Sequence, residues 1–370
     1  PPQTPRRQRQ MCIRDSSNAE QLAMSDGVGM INLSHFAIFD VEGSDAEALM
    51  EYLSVAKVGA ETAIGKGVYT HFLDHAGGIR SDLTIIRLAE DCFRVVCGGD
   101  TGNRDYVWMR DMSERKGFPN VTFHDRSEEL STLGLWGPEA RVTLAKLMDD
   151  PESISNESFP FATTKEITVC GVKVWAFRIS YVGEQGWELY FPFSDGLAIW
   201  DALFELGVTP VGIETYANSR RLEKSLRLQN ADLETDYNLY EAALARPKVK
   251  AADFHGKEAY VQQRELDEQA AYLCTLVLKD TTDSNGVVRY PIGNWPILDR
   301  ESKEVLIDPH GRRSYTTSMS FGPSLGLNIA MGYLPADKAK EGDIVLIEYF
   351  GEHYAVSYTH LRAHETAMYL

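Results

Sequence analysis

The chain has 370 residues, with 37 Lys and Arg against 54 Asp and Glu, a net charge of −17 and 44% apolar residues. So acidic a balance argues against nucleic acid as a partner, because binding there rests on Lys and Arg neutralising phosphates, and no apolar run is long enough to cross a bilayer. A chain of this size and apolar content buries a large core as two or three domains, and the cytoplasm is its expected location.

The two ends read as something other than gene. Met11-Cys12-Ile13-Arg14-Asp15-Ser16 and Ala355-Val356-Ser357-Tyr358-Thr359-His360-Leu361 can be encoded by one DNA element in opposite senses. A transposase sequencing adapter read through on both sides of an insert would leave that signature, and Arg6 to Gln10 and Arg362 to Thr366 fit the flanking adapter bases. Residues 1–16 and 357–370 are therefore set aside as adapter translation. Removing Arg6, Arg7, Arg9, Arg14 and Arg362 with Asp15 and Glu365 leaves 32 basic against 52 acidic residues, a charge near −20.

Along the insert, "VGMINLSHFAIFDVEGSDAEALMEYLS" predicts a strand with partly alternating Phe36, Ile38, Phe39 and Val41, a turn at Gly43, and a helix capped by Ser44 or Asp45. "GVYTHFLDHAGGIRSDLTIIRLAEDCFRVVCGG" predicts strand, hairpin, strand, acidic turn, strand, with Gly77 and Gly78 supplying the positive backbone angles of the turn. "GPEARVTLAKLMDD" predicts a helix with Pro138 in its first turn. "VKVWAFRISYVGEQGWELYFP" predicts a hairpin bent at Gly183 to Gly186. "DGLAIWDALFELGV" predicts an amphipathic helix with Leu197, Ile199, Trp200, Leu203 and Phe204 inward, and a third helix is expected through "ETYANSRRLEKSLRLQ". From about residue 270 short strands broken by Gly, Pro, Asn and Asp predict a small barrel or sandwich. The fold class is α+β, divided into an α+β region over 17–268 and an all-β domain over 269–356.

Candidate chemistry is sparse. There is no G-x-G-x-x-G after the first strand, and no P-loop, H-E-x-x-H, G-x-S-x-G or EF-hand pattern. His35, His71 and His75 do not share a helix face, so no metal is expected, and Cys92 and Cys97 of "CFRVVC" lack the C-x-x-C spacing of zinc or redox sites and read as buried thiols. Two carboxylates stand where apolar residues belong. Asp82 heads the buried strand "LTIIRL", as a turn hydrogen-bonder or as a positioned acceptor in a cleft. Glu188 lies between Trp187 and Leu189, seven residues after Tyr181; it is either an exposed strand residue beside a packed Tyr or one half of a site converging on a planar, hydrogen-bond-donating ligand.

Six stretches, "YTHFLDHAGGIRSDLTIIRLAEDCFRVV", "GLWGPEAR", "ISYVGEQGWELYFP", "VGIETYANSRRLEKSLR", "ADFHGKEA" and "YTTSMSFGPSLGLNIAMGYLP", resemble successive blocks of the aminomethyltransferase family. That family comprises the T-protein of the glycine cleavage system and the C-terminal folate modules of dimethylglycine and sarcosine dehydrogenases, and the texture here is closer to the dehydrogenase branch. The resemblance covers nearly the whole insert. It implies a three-domain cloverleaf around a central hole that binds tetrahydrofolate, with a C-terminal barrel-like β domain. It further implies that Asp82 orients the folate amines and assists transfer, that Tyr181 packs on the pterin, that Glu188 accepts the pterin N–H donors and that Tyr69 lines the same pocket. A pterin has a flat face to stack and an aminopyrimidine edge that suits a carboxylate bidentately.

The departures lie in the arginines: the first family Arg falls on Ala217, Arg221 preserves only the later one as a cofactor contact, and a basic residue near the end is replaced by Leu327, with Arg220 and Arg313 as substitutes. The implied function is a tetrahydrofolate-dependent transferase of an aminomethyl, methylene or methyl unit, served by a small methylamine or other methyl donor or by a lipoyl carrier protein. The alternatives are the folate module of a larger flavin-dependent N-methylglycine dehydrogenase or oxidase, with a flavin domain upstream, and a folate-binding protein without transfer chemistry.

Overall fold

The computed structural model describes residues 5–290 and 292–359, and the side chains of 16–290 and 292–358. Helix α1 (Pro5–Asp26) leads to β1 (Gly29–Asn32), β2 (Ala37–Glu42), α2 (Ala46–Leu53), β3 (Gly67–Leu73), β4 (Ile79–Arg87), β5 (Cys92–Cys97), α3 (Gly102–Lys116) and β6 (Thr122–Asp125). A second stretch holds β7 (Leu130–Trp136), α4 (Ala140–Ala145), β8 (Thr164–Val169), β9 (Val172–Phe177), β10 (Gly186–Pro192), α5 (Gly196–Glu205) and β11 (Thr209–Pro210). A π-type segment, Glu214–Arg220, runs into α6 (Arg221–Glu223), and α7 (Lys257–Arg264) precedes the last strands. These are β12 (Ala271–Leu278), β13 (Ile297–Leu298), β14 (Thr316–Gly322), β15 (Leu327–Pro335), β16 (Ile344–Tyr349) and β17 (Glu352–Thr359).

The first sheet has the order β3-β4-β5-β2-β6. Its strands alternate with period two, so one face takes Leu83, Ile85, Phe93 and Val95 into a core with Leu49, Met50, Leu53, Met109 and Met112 of α2 and α3. Ala46, Leu49, Met50 and Leu53 fall at helical spacing on the inward stripe of α2. The other face carries Ile38, Ile86 and Val96, and these meet Phe177 and Tyr190 of the second sheet. Asp82 is four residues before Ile86 on that second face, and His71 lies opposite Asp82 in the β3–β4 register.

The second sheet, in the order β11-β1-β7-β10-β9-β8, repeats the device. Trp187, Leu189 and Phe191 of β10 enter a core closed by α4 and α5, which leaves Glu188 and Tyr190 pointing toward the first sheet. The third sheet, β13-β16-β17-β12-β15-β14, is antiparallel and curls. The Ile297 N–H donates to the Ser314 carbonyl and the Thr316 N–H to the Trp295 carbonyl, which draws its two ends together as a barrel-like domain.

The opening "VGMINLSHFAIFDVEG" is two strands: β1 joins the second sheet and β2 the first, the chain switching sheets where Leu33 donates to the Thr132 carbonyl. In α5 only Ile199 and Leu203, four residues apart, are buried, whereas Leu197 and Phe204 are 78% and 57% exposed. At about 100° per residue Leu197 lies nearly opposite Ile199 on the helix, so one stripe cannot hold both. The expected long third helix stops at Glu223 and gives way to turns. Cys170 is exposed, in a left-handed turn. Of the segments read as adapter translation, residues 1–4 and 360–370 lie outside the described residues. Residues 357–359 complete β17 and pair with β12. No described helix is long and apolar enough to cross a membrane.

Candidate active site between the facing sheets

Two backbone contacts fix the strands that carry the site. A Cβ on Gly78 would lie 2.1 Å from the Thr235 carbonyl oxygen, so the turn before β4 packs against a distant loop only because glycine is there. Gly77, not Gly78, holds the positive φ of the turn, 82°. At the start of β10 a Cβ on Gly186 would lie 1.9 Å from the Leu135 carbonyl oxygen, and this approach seats β10 on β7 in the register that pairs Glu188 with Gly134.

On the first sheet the Tyr69 hydroxyl donates to Asp82 Oδ2 at 2.9 Å. Asp82 is half-buried. Burial pushes its carboxyl up to about 6 against the opposing Tyr69 hydrogen bond, with the charges of Asp105 and Asp100 adding to the rise. Across from it, Glu188 is 8% exposed and receives the Tyr190 hydroxyl on Oε2. Its burial raises the carboxyl to about 7, opposed by Tyr190 alone. No described side chain or N–H donates to Oε1, so one lobe of this carboxylate is free to accept.

An aromatic wall adjoins both carboxylates. Trp136 donates Nε1–H to the Ile179 carbonyl at 2.7 Å and stacks with Tyr216 at 5.7 Å between centroids. Tyr216 packs against Tyr181 at 5.2 Å, and the Tyr181 hydroxyl donates to the Arg227 carbonyl at 2.7 Å. The Tyr216 hydroxyl sits in the field of Glu188, Tyr181 and Asp82 together, and the Tyr69 hydroxyl in that of Asp82 and Tyr181. Tyr69, Asp82, Tyr181 and Glu188 thus form one electrostatically coupled group around Tyr216, beside the 214–232 segment. Such a group of side chains has the chemistry to accept the N–H donors of a flat molecule at Glu188, stack it on tyrosine, and present a carboxylate of near-neutral pKa.

Arg221 does not join them. It is fully buried, and its guanidinium is spent on Asp232, Ser318, the Ala217 and Leu226 carbonyls and the Met331 sulfur. It ties the 214–232 segment to β14 and β15. Arg220, 2% exposed, is taken by Glu184, Glu223, Ser324 and the Val182 carbonyl, and Arg313 is exposed. Sequence reasoning passed over Tyr190, Tyr216 and Arg227. Tyr190 carried a usable signal, since it is two residues beyond Glu188 and so on the same strand face; Tyr216 and Arg227 sit on irregular backbone where no period marks a face.

Residues 3–249 match a family model described as the GCVT N-terminal domain, and residues 293–362 match the glycine cleavage T-protein C-terminal barrel domain. The chain is 32% identical over 325 residues to an aminomethyltransferase of Herpetosiphon aurantiacus, covering 88% of this chain and 83% of that protein. The chain belongs to the aminomethyltransferase family. It is also 31% identical over 333 residues to the mitochondrial dimethylglycine dehydrogenase of Rattus norvegicus, covering 88% of this chain. It spans about a third of that relative's length, 36%. The solved aminomethyltransferase T of the Bartonella henselae glycine cleavage system matches the fold with a TM-score of 0.80 at 24% identity, covering 96% of this chain and 91% of that one. The α+β class and the barrel-like C-terminal domain expected from the sequence agree with both matches.

Proposed function

We propose that this chain binds tetrahydrofolate between its facing sheets and transfers a one-carbon unit, aminomethyl, methylene or methyl, to it. The observation that carries the reading is the pair of carboxylates with raised pKa values, Glu188 and Asp82, placed on opposite sheets with the Tyr181–Tyr216 wall beside them. The free Oε1 of Glu188 fits an N–H-donating pyrimidine edge, and the tyrosine wall fits the pterin face. When bound, tetrahydrofolate supplies the amine that accepts the carbon. Glu188, ionised, accepts the ring N–H donors with Oε1 while Tyr190 keeps Oε2 in place. Tyr69 fixes the Asp82 carboxylate by its 2.9 Å hydrogen bond, and Asp82 orients the reacting amine and takes up its proton, a task suited to a group that titrates near 6. Arg221 holds the Tyr216 segment and acts on the cofactor through it. Enclosure between the sheets keeps donor and acceptor in register. The donor is a small methylated amine, another methyl donor, or an aminomethyl group on a lipoyl carrier protein.

The match to a dimethylglycine dehydrogenase over about a third of its length, 36%, favours a second reading, in which the chain is the folate module of a larger flavin-dependent enzyme. Both readings require the pocket. Calorimetric titration of tetrahydrofolate into the full chain should give saturable binding that Glu188→Ala weakens at least tenfold, about 1.4 kcal/mol. A folded wild type that does not bind removes both readings.

A further inference from the structure

Behind the strand that presents Asp82 lies a buried carboxylate that the folate reading leaves unused. Ser81 and Asp82 are consecutive on β4, so their side chains leave the sheet on opposite faces. The Ser81 hydroxyl, on a fully buried residue, donates to Oδ1 of Asp105 in the first turn of α3. Asp105 is itself sealed, and its Oδ2 has no hydrogen-bond partner among the described residues, although buried polar groups are paired almost without exception. Arg104 Nε stands 3.6 Å from Oδ1, while its two Nη atoms donate to the Asn230 side chain and the Arg80 carbonyl. The Arg80 guanidinium lies over the Trp108 ring at 4.1 Å.

Burial raises the Asp105 carboxyl, and the Ser81 hydroxyl, Arg104, Thr101 and Arg80 all oppose the rise and favour the anion. A carboxylate enclosed in this way costs more than its packing returns, so its use lies in its field. The Ser81–Asp82 step brings the Asp105 and Asp82 carboxyl groups within roughly 11 Å of each other by bond lengths alone. Across protein rather than water, a unit charge at that distance moves a carboxyl by about one pKa unit. The other groups facing Asp82 are Tyr69 and His71 of β3, Tyr181 and Tyr216 of the aromatic wall, and the exposed Asp100. His71 stays neutral, pushed down to about 3 by burial and then by Arg246 and Arg227, whose own charges are constant. On the opposite face the Cys97 thiol is pushed up by burial and then by Asp105, and stays neutral too. Asp105 and Asp100 are the two carboxylates whose charges raise Asp82, and of the two only Asp105 is buried.

We propose that Asp105 is a positioning residue for the transfer step, an anion fixed behind β4 by Ser81 that acts on Asp82 across the strand and keeps it basic enough to take the proton of the reacting amine. This rests on the reading of Asp82 as the proton acceptor of a one-carbon transferase, and it adds the group that makes Asp82 one.

The coupling is read by pH titration of the aspartate carboxyl carbons in carbon-13 NMR, on the full chain without folate. The Asp82 and Asp105 signals are assigned by their loss in Asp82→Asn and Asp105→Asn, and circular dichroism melts establish that each variant is folded. Asp105→Asn should lower the Asp82 midpoint from about 6 by about 0.5–1 unit. By reciprocity Asp82→Asn should lower the Asp105 midpoint by the same amount, a measurement that does not depend on the folding of Asp105→Asn. Asp100→Asn should move Asp82 less, and its effect, unlike that of Asp105→Asn, should disappear in about 1 M salt. An Asp82 midpoint unmoved in folded Asp105→Asn, or an Asp105 midpoint unmoved in Asp82→Asn, overturns the proposal. Coupled midpoints in a chain that calorimetry shows not to bind tetrahydrofolate would support the coupling and overturn the folate reading alone, so the two failures are distinguishable.

Discussion

Replacing Glu188 with Gln should strengthen the free protein above neutral pH while weakening its hold on tetrahydrofolate. The Glu188 carboxyl titrates at about 7 in the folded chain against 4.5 in the open one, because burial leaves its charge with a single donor, Tyr190. The folded state therefore binds this proton more tightly than the unfolded state, and stability falls as pH rises between the two values. Integrating that difference from pH 5 to pH 8 gives a loss of about 2–3 kcal/mol from this one group. A glutamine amide in its place has nothing to ionise and can still accept the Tyr190 hydroxyl, so its contribution stays flat over the window. Urea denaturation of wild type and Glu188→Gln at pH 5, 6, 7 and 8 reads the difference, with the other titrating groups common to both proteins. The variant should gain about 2–3 kcal/mol relative to wild type from the acid to the alkaline end, and its calorimetric affinity for tetrahydrofolate should fall at least tenfold. Parallel stability profiles would refute the account of Glu188 as a carboxylate kept under-solvated for a ligand.

Further outcomes follow from the same geometry. Asp82→Asn should lower one-carbon transfer by about 10²–10⁴-fold with tetrahydrofolate affinity nearly unchanged, and the rise in wild-type rate as pH passes about 6, where Asp82 ionises, should vanish in the variant's pH–rate profile. Arg221→Met strands Asp232 as an unpaired buried charge and should destabilise the chain by about 3–5 kcal/mol in urea denaturation. Tyr216→Ala should weaken tetrahydrofolate binding by about 1 kcal/mol in calorimetry, whereas Tyr216→Phe, which keeps the stacking ring, should not. Gly186→Ala should cost about 1–3 kcal/mol of stability, because the new methyl would have to displace the Leu135 backbone.

What the sequence made legible was strand periodicity and what interrupted it. Asp82 and Glu188 could be singled out because each breaks an apolar run on a strand, and on a strand the break has a direction: Leu83 and Trp187 go into the cores, and their neighbours lie on the faces that meet the other sheet. The 214–232 segment allowed no such inference. Arg221 looked like a cofactor contact because charge in a sequence suggests a ligand, yet its partners Ser318 and Met331 lie 97 and 110 residues away, and only the packed third sheet shows it to be a tie. Arg246 sits on backbone without a repeat, so its hydrogen bond to the Tyr69 carbonyl is a property of tertiary structure. The misplacement of Leu197 and Phe204 is of another kind, since angular spacing along α5 was available and assigns them to the outward side.

The central claim is that the two facing carboxylates grip and serve one pterin. A crystal structure of the chain with tetrahydrofolate bound tests it most directly. The pyrimidine edge is expected on Glu188 Oε1, the ring against Tyr181 and Tyr216, and the reacting amine within hydrogen-bond reach of Asp82. A folate found elsewhere on the chain, or seated with its amine turned away from Asp82, would contradict it.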